Sequence, residues 1–200
     1  RDTDVRRTVI QALAGLNLTE ALPHFLPLLQ DPEPSVVQAA CDALIKFGEP
    51  AAQLLLKQLQ HPDWMARKAA LEVLQSLRGF CPLDQILSLL EAPEWEIRES
   101  VARFLVGSQD EKVTQALLNV LRQDSDREVK MAACQALGNS GDKRVIEPLL
   151  LVMRQTDDES LRLAAGEGLA RMGGVISEAV VRQVLQDHRA PVRSLGAQIL

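Results

Sequence analysis

Residues 31–44 read DPEPSVVQAACDAL, and residues 126–138 repeat the pattern as DREVKMAACQALG. In both stretches an aliphatic residue, Val36 or Val129, is followed by small or apolar residues three, four, seven and eight positions later. That spacing places the apolar residues on one face of an α-helix, and the small ones allow a neighbouring helix to approach closely. Each stretch therefore predicts an amphipathic helix that packs tightly on its neighbours.

The aliphatic position, called the anchor here, recurs along the whole chain. Successive anchors lie 30 to 32 residues apart, and a basic residue follows most of them. They are Val5, Val36, Ala66, Ile97, Val129, Leu161 and Val192. Self-similarity at a fixed period is the signature of a repeat architecture.

Each repeat is predicted to contain two helices. The B helix carries the anchor, and the A helix is the apolar stretch that ends seven or eight residues before it. Aspartates three residues before several anchors suit the helix N-cap, where a carboxylate accepts from free backbone amides, namely Asp2, Asp63, Asp126 and Asp158. Glycines that suit the left-handed closing position follow many B helices, namely Gly15, Gly48, Gly107, Gly138 and Gly173.

One pair of helices this short cannot bury enough apolar surface to fold alone, so neighbouring pairs must stack. We predict one repeat domain over residues 1–200: a lone B helix at 2–16, then pairs at about 19–48, 49–77, 80–107, 110–141, 142–173 and 174–200. Neither end has a polar cap, so we expect the chain to be part of a longer solenoid.

The pattern at Asp31–Leu44 and Asp126–Gly138 resembles HEAT repeats, in particular the phycobilisome-lyase-like subtype. The prolines Pro23 and Pro148, each 13 residues before an anchor, fit the same family. The resemblance covers essentially the whole chain. It implies an all-α fold, an α-solenoid (superhelix) of about six HEAT-like helical pairs preceded by a lone B helix.

The resemblance also implies a ladder of hydrogen bonds between repeats, from the basic residue after one anchor to an aspartate five residues before the next. Asp31, Asp124 and Asp187 supply the acid, whereas His61, Ala92 and Thr156 replace it and Val37 replaces a base. We therefore expect the ladder to be broken in the N-terminal part.

Composition favours a helical, intracellular binding protein. The chain is 46% hydrophobic, only 3% aromatic, and carries a net charge of −5. Nucleic-acid binding normally needs a concentrated basic surface, so this charge disfavours it. Three cysteines without metal-type spacing favour a reducing, cytoplasmic setting, and no apolar run is long enough to span a membrane.

The sequence contains no recognisable catalytic or cofactor motif. His24, His61 and His188 lie in different repeats without neighbouring glutamates of the His-Glu type. Cys41 and Cys134 occupy one repeat position and read as small core residues, whereas Cys81 in a link could be reactive or merely structural. We predict neither enzymatic activity nor a metal or cofactor site, and no small-molecule substrate is evident.

Two features indicate where a protein partner could bind. Trp64 and Trp95 both stand two residues before an anchor in consecutive repeats, on a predicted turn ridge. The alternative is that each indole covers apolar residues of its own A helix. Met131 and Leu163 stand two residues after anchors, on the B-helix face expected to line the concave side, and could contact a partner or simply adjacent side chains.

The leading hypothesis is a non-catalytic protein–protein interaction scaffold. The alternative from the family resemblance is a phycobilin lyase-like chromophore-handling factor, and a HEAT-like nucleic-acid-binding protein is a third interpretation. The sequence names neither the partner nor the oligomeric state.

Overall fold

The computed structural model describes residues 2–173 and 176–197, and within these ranges all regular elements are helices. The chain divides into two compact units, residues 1–86 and 87–200, with the boundary inside one short helix. Within the last predicted pair, 174–200, residues 174–175 and 198–200 lie outside the described residues.

The N-terminal unit alternates long B helices with shorter A helices. Its helices are α1 (Thr3–Gly15), α2 (Leu22–Phe25), α3 (Pro34–Phe47), α4 (Glu49–Gln58) and α5 (Trp64–Leu74), and α6 (Leu83–Ser88) leads out of it. The first A helix is irregular, because 3₁₀ turns at Thr19–Ala21 and Leu26–Gln30 flank α2. Pro27 explains the second turn, since proline lacks the amide that an α-helix needs.

The C-terminal unit continues the alternation. After a 3₁₀ turn at Leu89–Glu91 come α7 (Trp95–Phe104), α8 (Glu111–Gln123), α9 (Arg127–Gly138), α10 (Ile146–Gln155), α11 (Glu159–Met172), α12 (Glu178–Leu185) and α13 (Ala190–Gly196). The B helices α7, α9 and α11 pack on one another in sequence order, and α8 and α10 pack on α9 and α11 respectively.

The anchors form the centre of each helix pair, as the repeat pattern predicts. Val36, Ile97, Val129 and Val192 have no exposed surface. The anchor Val5 of α1 differs, with 58% of its surface exposed, and so does Val9 four residues later, with 50% exposed.

The predicted helix caps are confirmed at all four aspartates. Asp2, Asp63 and Asp126 each accept from the amide two residues later, and Asp158 accepts from the amide of Leu161. Positive φ is confirmed at three of the predicted closing glycines, Gly48, Gly107 and Gly173, with φ of 63°, 82° and 48°. The ψ of −125° at Gly48 and −126° at Gly173 lies outside the left-handed helical region.

The prediction of a left-handed closing glycine is wrong at Gly15 and Gly138. Both are helical residues, and positive φ occurs instead at Asn17 (53°) and Gly141 (69°). Gly138 has a packing role, because an added Cβ would lie 2.5 Å from both Cα and the carbonyl oxygen of Gly168. The backbones of α9 and α11 therefore approach more closely there than any side chain would permit.

Candidate partner-binding surfaces

The basic residue after the anchor holds the turn of its own repeat. The guanidinium of Arg98 donates to the carbonyls of Ala92 and Pro93 at 2.9 and 3.0 Å, and Arg162 donates to the carbonyl of Thr156 at 2.6 Å. Arg67 and Arg193 make the equivalent bonds to the carbonyls of their own turns. These bonds satisfy carbonyls at the end of the A helix that have no partner within the helix.

The residue five before the anchor has a turn role that the ladder hypothesis missed. Asp31, Asp124 and Asp187 each accept from the backbone amide two residues later, at 2.9 to 3.0 Å. Nδ1 of His61 and Oγ1 of Thr156 accept the equivalent bonds, both at 3.1 Å. His61 and Thr156 therefore keep the turn acceptor and lose only the negative charge, whereas Ala92 has no side-chain acceptor.

The inter-repeat ladder consists of separate rungs. Arg6 donates to Asp31 at 3.0 Å in the N-terminal unit. In the C-terminal unit Arg98 donates through Nε and Nη2 to both carboxylate oxygens of Asp124, at 2.7 and 2.9 Å. Val37 and His61 form no such pair, as expected from the sequence.

The Arg98–Asp124 rung is well shielded from water. The side chains of Arg98 and Asp124 are 14% and 6% exposed. Burial alone would raise the pKa of Asp124, but the bonds from Arg98 and the Asp126 amide, with the charges of Arg98 and Lys130, hold it below its ordinary value. Asp124 is therefore a stable carboxylate at neutral pH.

The next junction has no rung. Lys130 is the basic residue after its anchor, and the next turn position is Thr156, which carries no charge. The ammonium of Lys130 forms neither a hydrogen bond nor an ion pair with the described part of the chain. Asp187 meets Arg154 instead of Arg162, with Nε and Oδ2 3.3 Å apart.

Two grooves lie between successive A helices of the C-terminal unit. The α6–α8 groove, about 530 Å³, is lined by residues from Leu87 to Arg98 and from Ala116 to Ser125, among them the paired Arg98 and Asp124. The α8–α10 groove, about 670 Å³, is lined by Leu121, Arg122, Lys130, Pro148, Leu151 and Arg154, with Glu147 as its one acidic residue. The second groove is therefore the more apolar and the more basic.

The solvent-facing side of the B helices carries the positions two and six residues after each anchor. The six described residues at the second of these positions are all exposed and polar: Gln11, Asp42, Glu72, Arg103, Gln135 and Glu167. Several charges on this face pair along one helix, as Glu99 does with Arg103 and Glu167 with Arg171. No basic stripe forms among these described positions.

Met131 and Leu163 interrupt that polar face. Leu163 on α11 is 45% exposed, and Met131 on α9 is half-buried. Met131 lines a shallow depression of about 150 Å³ with Gln135, Glu167 and Arg171, whereas Leu163 lies outside its lining. The structure thus places the two residues on neighbouring helices but not in one pocket.

The two tryptophans are the first residues of α5 and α7. Trp64 is half-buried in the N-terminal unit, and Trp95 is 40% exposed in the C-terminal unit. Each belongs to a different unit, so a shared turn ridge stays a prediction.

The surroundings of the three cysteines bear on whether their thiols could react. Burial raises the pKa of Cys134 to about 12, and it also raises the pKa of Cys41 and Cys81. The thiol of Cys81 donates to the carbonyl of Leu77 at 3.5 Å, which favours the structural over the reactive interpretation. Over residues 2–173 and 176–197, no group of three metal-ligating side chains is found.

The three histidines, His24, His61 and His188, are all exposed. No helix in the described ranges combines the length and apolarity that crossing a membrane requires.

Sequence reasoning missed the α8–α10 groove, although a signal for it exists. Counting from the last apolar residue of each A helix, the position two residues earlier is exposed in all six copies. It holds Pro27, Lys57, Ser88, Asn119 and Gln183, but Leu151 in α10. The position one residue after that last apolar residue holds Gln30, Gln60, Glu91 and Gln186, but Arg122 and Arg154 on either side of the groove.

Comparison with known proteins identifies the family. The model of the family described as HEAT repeats matches residues 1–75, 52–126, 83–170 and 114–200. The chain therefore belongs to the HEAT-repeat family, and the predicted α-solenoid fold class is confirmed. No curated protein matches the chain.

Solved structures of low sequence identity share the fold. An engineered protein is 17% identical over 90% of this chain and 94% of its own, with a TM-score of 0.56. A designed armadillo repeat protein in complex with the peptide (KR)4 is 16% identical over 89% of this chain and 97% of its own, with a TM-score of 0.55. A chain from the structure of Kap95p with RanGDP is 15% identical over 100% of this chain and 31% of its own, with a TM-score of 0.61.

Proposed function

We propose that this HEAT-repeat chain is a non-catalytic scaffold that binds a protein partner through the solvent-facing side of its B helices. The observation that carries the proposal is the exposed Leu163, with the half-buried Met131 on the neighbouring B helix, on a face where the charges of Glu167 and Arg171 pair with each other. An aliphatic side chain exposed among mutually neutralised charges gains free energy when a partner covers it.

The structural relatives support this proposal by analogy of fold only. The designed armadillo repeat protein binds a peptide, and Kap95p binds RanGDP. A cytoplasmic setting belongs to the same proposal, because the three cysteines are free thiols. That the chain is part of a longer solenoid also stays a prediction.

The test compares binding before and after the B face is changed. The protein and its Leu163→Glu variant are used to capture partners from a cell extract, and the captured proteins are identified by mass spectrometry. A partner that binds the wild type, fails to bind Leu163→Glu and still binds the control Gln183→Glu supports the proposal. Gln183 is a suitable control because it is exposed on the A helix α12 and not on the B-helix face.

Two other results would replace the proposal. Visible absorbance after incubation with a bilin and an apo-phycobiliprotein would favour the phycobilin lyase-like alternative. Tight binding of duplex DNA at physiological salt, without a protein partner, would favour nucleic-acid binding.

A further inference from the structure

The α8–α10 groove offers an exposed leucine at a place where four of the five other described repeats have a polar residue and one has a proline. Leu151 is 53% exposed, and Pro148 lies one helical turn before it in the same groove. The equivalent residue of the neighbouring repeat, Asn119, lines the α6–α8 groove instead. Exposed leucine costs free energy that a covering ligand would recover.

The same groove holds more positive charge than the chain as a whole. Arg122, Lys130 and Arg154 line it against the single acid Glu147, although the net charge of the chain is −5. Arg154 is neutralised by Asp187. The side chains of Arg122 and Lys130 make no hydrogen bond or ion pair with the described residues. Two cations are therefore free to meet a ligand.

Lys130 is free because this junction lacks the rung of the preceding one. At the equivalent positions, Arg98 donates both to Asp124 and to the carbonyls of its own turn. Thr156 offers Lys130 no charge, and Arg162 already occupies the Thr156 carbonyl. Asp124 also attracts Lys130 electrostatically, but both of its carboxylate oxygens already accept hydrogen bonds from Arg98.

We propose that the α8–α10 groove binds an acidic peptide segment of a protein partner. An aliphatic side chain of the peptide covers Leu151 and Pro148, and flanking carboxylates pair with Arg122 and Lys130. A peptide fits better than a nucleic acid, because the described lining contains no aromatic side chain on which a base could stack. The inference rests on the proposed function, and it adds a second surface and the chemistry of its partner.

The probe is a short fluorescein-labelled peptide in which Asp and Glu flank a Leu-Leu pair, and fluorescence anisotropy measures its binding to the whole chain. We expect saturable binding that weakens as salt rises, because the charges of the partners are screened. Arg122→Glu and Lys130→Glu should each weaken binding by about tenfold. Leu151→Ser should also weaken it, while leaving the salt dependence unchanged.

The matched control is Lys57→Glu. Lys57 is exposed, lies in the N-terminal unit at the repeat position equivalent to Leu151, and undergoes the same change of charge. It should bind the probe as the wild type does. Thermal unfolding followed by circular dichroism checks that every variant is folded.

Three outcomes would overturn the inference. The first is no binding of the acidic peptide at physiological salt, and the second is equal binding by the wild type and both charge-reversal variants. The third is displacement of the peptide by a single-stranded oligonucleotide at lower concentration than by unlabelled peptide. In each case Leu163-dependent capture of a protein partner still decides the proposed function separately.

Discussion

The α7–α9 and α9–α11 junctions pair equivalent B helices but are held by different interactions. At the first, Arg98 bridges to Asp124 and to two carbonyls of its own turn. At the second, Lys130 and Thr156 form no rung, and the backbones meet at Gly138 and Gly168. The shielded Arg98–Asp124 bridge of one junction is thus replaced in the next by close backbone packing and by the more exposed Arg127–Asp158 pair, whose N and O atoms are 3.5 Å apart.

The difference shows that one repeat position can have separable roles. Asp124 accepts a turn amide and binds Arg98, whereas Thr156 only accepts the turn amide. Losing the rung need not disturb the turn, because the turn bond remains. The unpaired lysine then becomes available in the adjacent α8–α10 groove.

The largest effect on the free energy of unfolding is expected from adding a side chain at the Gly138–Gly168 contact. Gly138→Ala would place a Cβ 2.5 Å from backbone atoms of Gly168, which cannot rotate away as a side chain could. We expect a loss of about 3 kcal/mol in the free energy of unfolding, the upper end for overpacking. Urea unfolding followed by circular dichroism measures it, and a loss below about 1 kcal/mol would show that α9 and α11 separate easily.

The second prediction removes the charge of the rung. Asp124→Asn should lower the free energy of unfolding by about 2 kcal/mol at neutral pH, because it breaks a shielded, charge-assisted bridge. Asp157→Asn is the control, since Asp157 is exposed and should change stability by less than about 0.5 kcal/mol. Equal effects of the two substitutions would mean that the rung contributes nothing specific.

The rung also predicts a pH dependence. The pKa of Asp124 is lower in the folded chain than its ordinary value, which represents the unfolded chain. Its contribution is therefore complete above about pH 4 and is lost as the pH falls through the lowered pKa. The stability difference between wild type and Asp124→Asn, measured in urea from pH 7 downward, should be constant to about pH 4 and then shrink.

The repeat architecture was predictable because each of its signals is local. Helical periodicity, the capping aspartates and the turn residues act within about ten residues, so the anchors Val36 to Val192 identified the helix pairs without knowledge of their contacts. Gly138 shows the limit. Its position after an apolar run suits a closing glycine, and only the approach of Gly168 from the next repeat reveals its packing role.

The α8–α10 groove was not predicted because the repeats were aligned on their anchors and not on their A helices. The anchors Ile97, Val129 and Leu161 are spaced by 32 residues rather than 30 or 31. The additional residue lies between A helix and anchor, so counting back from the anchor misaligns α8 and α10 by one position. Leu151 and Arg122 stand out only when the A helices are aligned on their own apolar residues.

A fourth prediction introduces at the α9–α11 junction the acid that the α7–α9 junction has. Thr156→Asp gives Lys130 the acid that Arg98 has in Asp124, and the carboxylate still accepts the turn amide. We expect a gain of about 0.5 to 1 kcal/mol in the free energy of unfolding, as for a partly exposed ion pair. The same variant should bind the acidic peptide more weakly, measured by anisotropy. A gain in stability without weaker peptide binding would separate Lys130 from the groove.

The smallest effect is expected at Gly15, which serves as a reference for the substitution at Gly138. Gly15 is helical like Gly138, but an added Cβ would meet no atom within 4 Å. Gly15→Ala should therefore stabilise the protein by about 0.5 to 1 kcal/mol, the intrinsic advantage of alanine in a helix. Helix propensity favours alanine at both sites. The destabilising effect of the clash in Gly138→Ala is therefore larger than the measured loss in the free energy of unfolding, by about the gain seen for Gly15→Ala. Destabilisation by Gly15→Ala in urea would mean that its surroundings, and not helix propensity, govern both glycines.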